Sequence, residues 1–166
     1  MVPRPSRTPT GGHSCDSPAA GLPLNLRSLK RRGRTNVDSN CALIQDLYAA
    51  FARGDIPYIL ERLAEDVQFE HSDSPEIPYG GSYGGKDGIE KFFARIGEAV
   101  ELKTFEPKSY LSSGDEVMTT GVWSAVSRKT GKPFQTQWAM RFFVKNGKVT
   151  YCHVYEDSAV TAAALR

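Results

Sequence analysis

The residue best suited to chemistry is His71. Imidazole titrates near neutral pH and can act as a general base without special tuning. His71 ends the run Val67-Gln68-Phe69-Glu70-His71, and period-two counting puts it on the face of Val67 and Phe69. A histidine ending an apolar face should meet both buried surface and solvent at a cavity mouth; the alternative is an exposed strand-end histidine. Glu70 and Asp73 lie nearby as acidic partners. A base of this kind predicts activity rising through the ordinary imidazole value of ~6.5. A second alternating run ends the chain's last strand. Thr150, Cys152, Val154 and Glu156 share one face of it, and Tyr151, His153 and Tyr155 share the other. Glu156 is either a buried acid or half of a strand-end salt bridge. His153 reads as a sheet-surface or dimer-interface residue.

The elements that must position these groups follow from periodicity. Leu43, Ile44, Leu47, Tyr48 and Phe51 form one helical stripe. Gly54 supplies a left-handed helix stop, Asp55 an N-cap and Pro57 a first-turn residue for a second helix. Ile56, Ile59, Leu60 and Leu63 are its stripe. Residues 72–85, dense in Pro, Gly and Ser, read as a loop whose Tyr79 and Tyr83 either form a lid or cover a sheet edge. A third helix is expected over 86–100. Strands are expected near 102–112, 116–127, 133–145 and 148–157, with Asn146-Gly147 the strongest hairpin signal. Ser158 can cap a short C-terminal helix. The order predicts one α+β domain over 38–166, with helices on one face of a curved sheet. Phe134, Thr136, Trp138, Met140 and Phe142 alternate on one face; they pack a core, line an apolar pocket, or do both.

The chain of 166 residues is 40% hydrophobic and 24% charged, as expected of an ordinary globular domain. No apolar run approaches the ~18 residues of a membrane span. Cys15, Cys41 and Cys152 have no metal-ligand spacing, so no metal is expected, and at least one thiol is free in a monomer, which points toward a reducing, cytoplasmic setting. Residues 1–37 carry seven basic groups and one acid, while the remainder is mildly acidic. The Pro-, Ser- and Arg-rich tail is expected to be disordered. Its other readings are an organelle transit peptide, or a segment that is not translated, with a start at Val37. The cluster Lys30-Arg31-Arg32-Gly33-Arg34 reads as a solvated tail, so neither nucleic acid nor membrane is an expected partner. Gly80-Gly81 and Gly84-Gly85 lack the Lys-Ser/Thr and parallel strand of a phosphate loop.

Three segments together resemble a known family: Tyr48 with Phe51-Ala52-Arg53-Gly54-Asp55, then Leu63-Ala64-Glu65-Asp66-Val67, then Tyr79 to Gly88. Gly147-Lys148-Val149 and Tyr155-Glu156-Asp157-Ser158 continue the likeness. It is to the SnoaL-like branch of the nuclear transport factor 2-like superfamily, over about residues 40–166. The resemblance implies a cone, a strongly bent sheet around three helices and open at one end, often a homodimer through the sheet. It implies that Thr150, Cys152, Val154 and Glu156 face the cavity, with Glu156 a partner for His71. Tyr48, Tyr83, Trp123, Trp138, Met140 and Cys152 are then the substrate-binding candidates. Laid on the pattern of ketosteroid isomerases, His71 falls where their base Asp stands and Trp138 where their acidic oxyanion-hole residue stands. Tyr48 falls one residue from their tyrosine. Neither carboxylate is present, which argues against steroid isomerisation. Arg141 points outward, which argues against the Asp-Arg-Asp arrangement of epoxide hydrolases of this fold.

Two functions fit. One is a cofactor-independent isomerase- or cyclase-type enzyme moving a proton on an apolar, carbonyl-bearing small molecule. The other is a non-catalytic binding or stress-related module with an apolar pocket.

Overall fold

The computed structural model describes residues 13–14, 31–72 and 74–166, with side chains from Ser39 onward. Helices α1 (Arg31–Ala52) and α2 (Ile56–Glu61) follow a two-residue strand, β1 (His13–Ser14). Strand β2 (Leu63–His71), strand β3 (Gly81–Gly84) and helix α3 (Gly85–Ala99) come next. Four long strands complete the sheet: β4 (Val100–Ser113), β5 (Glu116–Ser127), β6 (Pro133–Lys145) and β7 (Lys148–Glu156). Helix α4 (Ser158–Leu165) ends the chain. The strand order is β1-β4-β5-β6-β7-β2-β3 in one curved, unclosed sheet. Strands β4 to β7 form the expected antiparallel meander, and β2 joins β7 in parallel. This α+β architecture is the expected one. No helix among the described residues is long and apolar enough to cross a membrane.

The local signals act as their chemistry requires. Gly54 adopts a φ of 70° and ends α1, and the Asp55 carboxylate accepts from the Tyr58 N–H at 3.2 Å to cap α2. Asn146 and Gly147 take φ values of 53° and 73° in the β6–β7 hairpin, the conformation that matches strand twist. Cys41, Ile44, Leu47, Tyr48 and Ala50 of α1 are buried against the concave sheet face, which β5 and β6 furnish with Val117, Trp123, Trp138 and Phe142.

Helix α1 begins at Arg31, within residues 1–37. The rest of that tail apart from His13–Ser14, and Asp73, lies outside the described residues. Three sequence expectations are corrected. Within the 72–85 loop, Gly81–Gly84 forms a strand that pairs Phe69 with Tyr83 and His71 with Gly81. Glycines hide such a strand from propensity, but pairing satisfies the exposed edge of β2. Tyr79 is 0% exposed and Tyr83 is buried, so neither is a lid. Of the cysteines, Cys152 is a free buried thiol, while Cys41 is disulfide-bonded and adds nothing to the reading of a reducing compartment.

Candidate active site

Helices α1, α2 and α3 cross the concave face without filling it, leaving a cavity of about 130 Å³. Apolar side chains make nearly all of its wall, among them Leu47, Phe51, Phe92, Phe105, Phe142 and Val149. Trp138 stacks on Phe105 at 4.8 Å between ring centres, and Tyr48 meets both rings edge-on. Trp138 can lie this close to the sheet because its cross-strand partner is Gly121. A Cβ on Gly121 would stand 2.3 Å from Trp138 Cζ2 and 2.5 Å from the Glu106 carbonyl oxygen.

One imidazole and one carboxyl group interrupt the apolar wall. His71 comes from the end of β2 and Glu156 from the end of β7, two neighbouring parallel strands. Their side chains are only 4% and 1% exposed, and His71 Nε2 lies 3.8 Å from Glu156 Oε1. The Trp123 indole N–H donates to Glu156 Oε2 at 3.1 Å. Glu156 Oε1 and His71 Nδ1 are buried without a hydrogen-bond partner. Tyr79 sets the edge of its ring against the imidazole, 5.3 Å between centres.

Burial pushes the two groups apart in pKa. Loss of hydration disfavours the imidazolium and brings His71 down to about 4. The same loss disfavours the carboxylate and raises Glu156 to about 7, offset in part by the Trp123 hydrogen bond and the nearby Thr161 hydroxyl. At neutral pH His71 is therefore a neutral imidazole, and Glu156 is close to half ionised. The Trp138 indole N–H is buried without a partner, while the Tyr48 hydroxyl and the Cys152 thiol are disarmed. The Tyr48 hydroxyl is 2.5 Å from Thr119 Oγ1, and burial raises its pKa well above the ordinary value. Burial likewise pushes the Cys152 thiol up, away from thiolate chemistry.

The structure brings His71, Glu156, Tyr48, Trp123, Trp138, Met140 and Cys152 to one cavity. Tyr83 is the exception. It packs on Phe69 and Phe92, and its hydroxyl donates to the Tyr79 carbonyl at 3.0 Å, outside the cavity wall. His71 is buried in the wall rather than placed at a solvent-facing mouth. The strand-end salt bridge weighed for Glu156 is replaced by an inward carboxyl. Arg141 points outward, as expected, and pairs with Glu116 at 2.6 Å. On the outer face, His153 Nδ1 and the Tyr151 hydroxyl both contact Glu70 Oε2, at 3.1 and 2.9 Å. Sequence reasoning missed the Trp123–Glu156 bond, the Thr119 clamp on Tyr48 and Tyr79 beside His71. The alternation of β5 puts Thr119, Gly121 and Trp123 on one face, a signal that could have brought the first two together. Nothing in a glycine-rich loop marked Tyr79.

Residues 44–152 match the family model of a SnoaL-like domain. The fold is shared with an NTF2-like protein from Burkholderia xenovorans LB400 at a TM-score of 0.72 and 25% identity, covering 78% of this chain and 98% of that one. An NTF2-like protein from Burkholderia thailandensis E264 gives 0.69 and 28%, covering 76% and 97%. A proposed polyketide cyclase from Xanthomonas campestris pv. campestris gives 0.69 and 22%, covering 79% and 99%. The comparison with curated proteins found no match.

Proposed function

This chain belongs to the SnoaL-like domain family, and we propose that it is a cofactor-independent proton-transfer enzyme of the isomerase or cyclase type, acting on an apolar carbonyl compound. One observation carries the reading: two buried groups, 3.8 Å apart in an otherwise apolar cavity, have their pKa values driven in opposite directions. Separated pKa values of this kind assign acid and base roles. The roles are the reverse of those the sequence suggested. His71, held near 4, is too weakly basic at neutral pH to take a carbon-bound proton efficiently. Glu156, near 7, has the value a general base should have at that pH.

The chemistry is then enolisation. Trp123 holds Oε2, so Oε1 is the free oxygen that takes the proton from the carbon next to the carbonyl. The C–H electron pair becomes the new C=C bond, and the C=O π pair moves onto oxygen. The Nε2–H of neutral His71 donates to that oxygen as charge develops. Glu156 then returns the proton to the same carbon or to one conjugated with it. Atoms and electrons balance without a cofactor. The chain shares its fold with a proposed polyketide cyclase, while the reading of carbonyl chemistry rests on the His71–Glu156 pair. Incubating the protein in D₂O with a carbonyl compound tests the reading by mass spectrometry. Deuterium next to the carbonyl is expected. Binding without exchange would assign the chain to the non-catalytic alternative.

A second copy of the chain is the expected partner. Tyr151, His153 and the 44%-exposed Tyr155 lie on the outer sheet face, and His153 stacks on Tyr155 at 4.0 Å. This half-exposed aromatic row supports the reading of a homodimer through the sheet.

A further inference from the structure

The cavity's size and charge narrow the ligand further, on the assumption that Glu156 and His71 act as proposed. A cavity of about 150 Å³ lined by aliphatic and aromatic side chains holds one benzene ring. The space here, about 130 Å³, is of that order, so it matches one ring and is too small to take in a fused polycycle whole. The wall carries few polar atoms: the Tyr48 hydroxyl is engaged by Thr119, the Trp138 indole N–H is buried without a partner, and the one acid faces the one imidazole. Glu156 Oε1 and the facing His71 Nε2 ask for a single polar group on the ligand, with the remainder apolar. Charge is selected as well. Among the described residues no lysine or arginine lines the cavity, whereas Glu156 does. A carboxylate, phosphate or thioester of a charged carrier would lose its hydration there with no counter-ion, beside a carboxylate that repels it.

We infer that the site takes a neutral, single-ring ketone or enone, with its ring among Trp138, Phe105 and Phe92 and its carbonyl oxygen on His71. The ring gains apolar burial and aromatic contact, and the carbonyl accepts from His71 Nε2, which stands 3.8 Å from Glu156 Oε1 and so beyond hydrogen-bond distance of it. The acidic hydrogen, on the atom next to the carbonyl carbon, then falls toward Glu156.

Isothermal titration calorimetry on the full chain tests this with four probes at pH 7.5. Acetophenone and cyclohex-2-enone are neutral and have one ring. Benzoate has the size of acetophenone and carries a negative charge. Androst-4-ene-3,17-dione is neutral with four rings. Saturable binding is expected for the first two, with benzoate weaker by at least ~100-fold and no saturable binding of the steroid. Equal affinity for benzoate would overturn the charge argument, and equal or tighter binding of the steroid the size argument. Failure of both one-ring ketones to bind would overturn the whole inference. The catalytic reading fails separately. One-ring ketones that bind without deuterium exchange leave this inference standing, and a steroid that binds and exchanges leaves only the catalytic reading.

Discussion

Glu156 Oε1 faces His71 Nε2 across 3.8 Å, while the other carboxylate oxygen is held by Trp123 at 3.1 Å. The carboxylate is thus fixed by one oxygen and free at the other, beside an imidazole that burial keeps neutral. In the proposed reading this pair carries the proton transfer, and its two pKa shifts make opposing contributions to stability as pH changes.

The two residues should respond differently to replacement. Glu156→Gln removes the base and should lower exchange by roughly 100- to 10,000-fold. His71→Phe removes the donor but leaves the base, and should lower it about 100-fold. The pH limb should survive in His71→Phe and be absent from whatever activity remains in Glu156→Gln. Rate profiles from pH 5 to 9 check this.

Stability should reveal the pair through opposite slopes. The folded-state pKa of His71 is depressed, so between its ordinary value and about 4 the unfolded chain binds the extra proton, and stability is lost as pH falls. That of Glu156 is raised, so between its ordinary value and about 7 the folded chain holds the extra proton, and stability is lost as pH rises. In the wild type the two slopes oppose each other over the shared range. Glu156→Gln should leave stability rising with pH, and His71→Phe should leave it falling, each by at most about 1.4 kcal/mol per pH unit. Urea denaturation from pH 4.5 to 6.5 measures both slopes; parallel curves for the two variants would contradict the assignment.

Much of this was legible in the sequence. Alternation along β2 put His71 on the apolar face, alternation along β7 grouped Glu156 with Cys152 and Val154 on the face that the family resemblance turns inward, and Gly54, Asp55 and Asn146-Gly147 marked their turns. The depth of His71 was not legible. Alternation gives a face and not a distance from solvent, and the strand β3 that covers the end of β2 is written in glycines and loop residues. The opposite pKa shifts of His71 and Glu156, on which the proposed exchange of roles rests, come from desolvation by side chains of several elements, which no local pattern encodes. Residue type favoured Tyr83, but its strand register packs it on Phe92, outside the cavity wall.

Trp123→Phe keeps the ring and removes the hydrogen bond that favours the ionised carboxylate. The Glu156 limb should move upward in pH, and deuterium exchange at pH 7 should fall as the ionised fraction shrinks. An unmoved limb would show that the indole N–H does not set the titration.

Gly121→Ala should destabilise the fold by about 1–3 kcal/mol, since the added methyl meets the Trp138 ring and the Glu106 carbonyl together. Thermal unfolding checks the cost, and a wild-type Tm would mean that Trp138 moves freely.

Light scattering at micromolar concentration should give twice the chain mass, and Tyr155→Lys, placing charge on the outer aromatic row, should shift the mass toward the monomer. A wild-type monomer would remove the proposed partner.

The most direct test of the central claim is the rate of deuterium incorporation into acetophenone as a function of pH. The account predicts a rate that climbs through about pH 7 and levels above it, with the climb retained in His71→Phe and lost in Glu156→Gln. A climb that disappears with His71 and persists without Glu156 would contradict it.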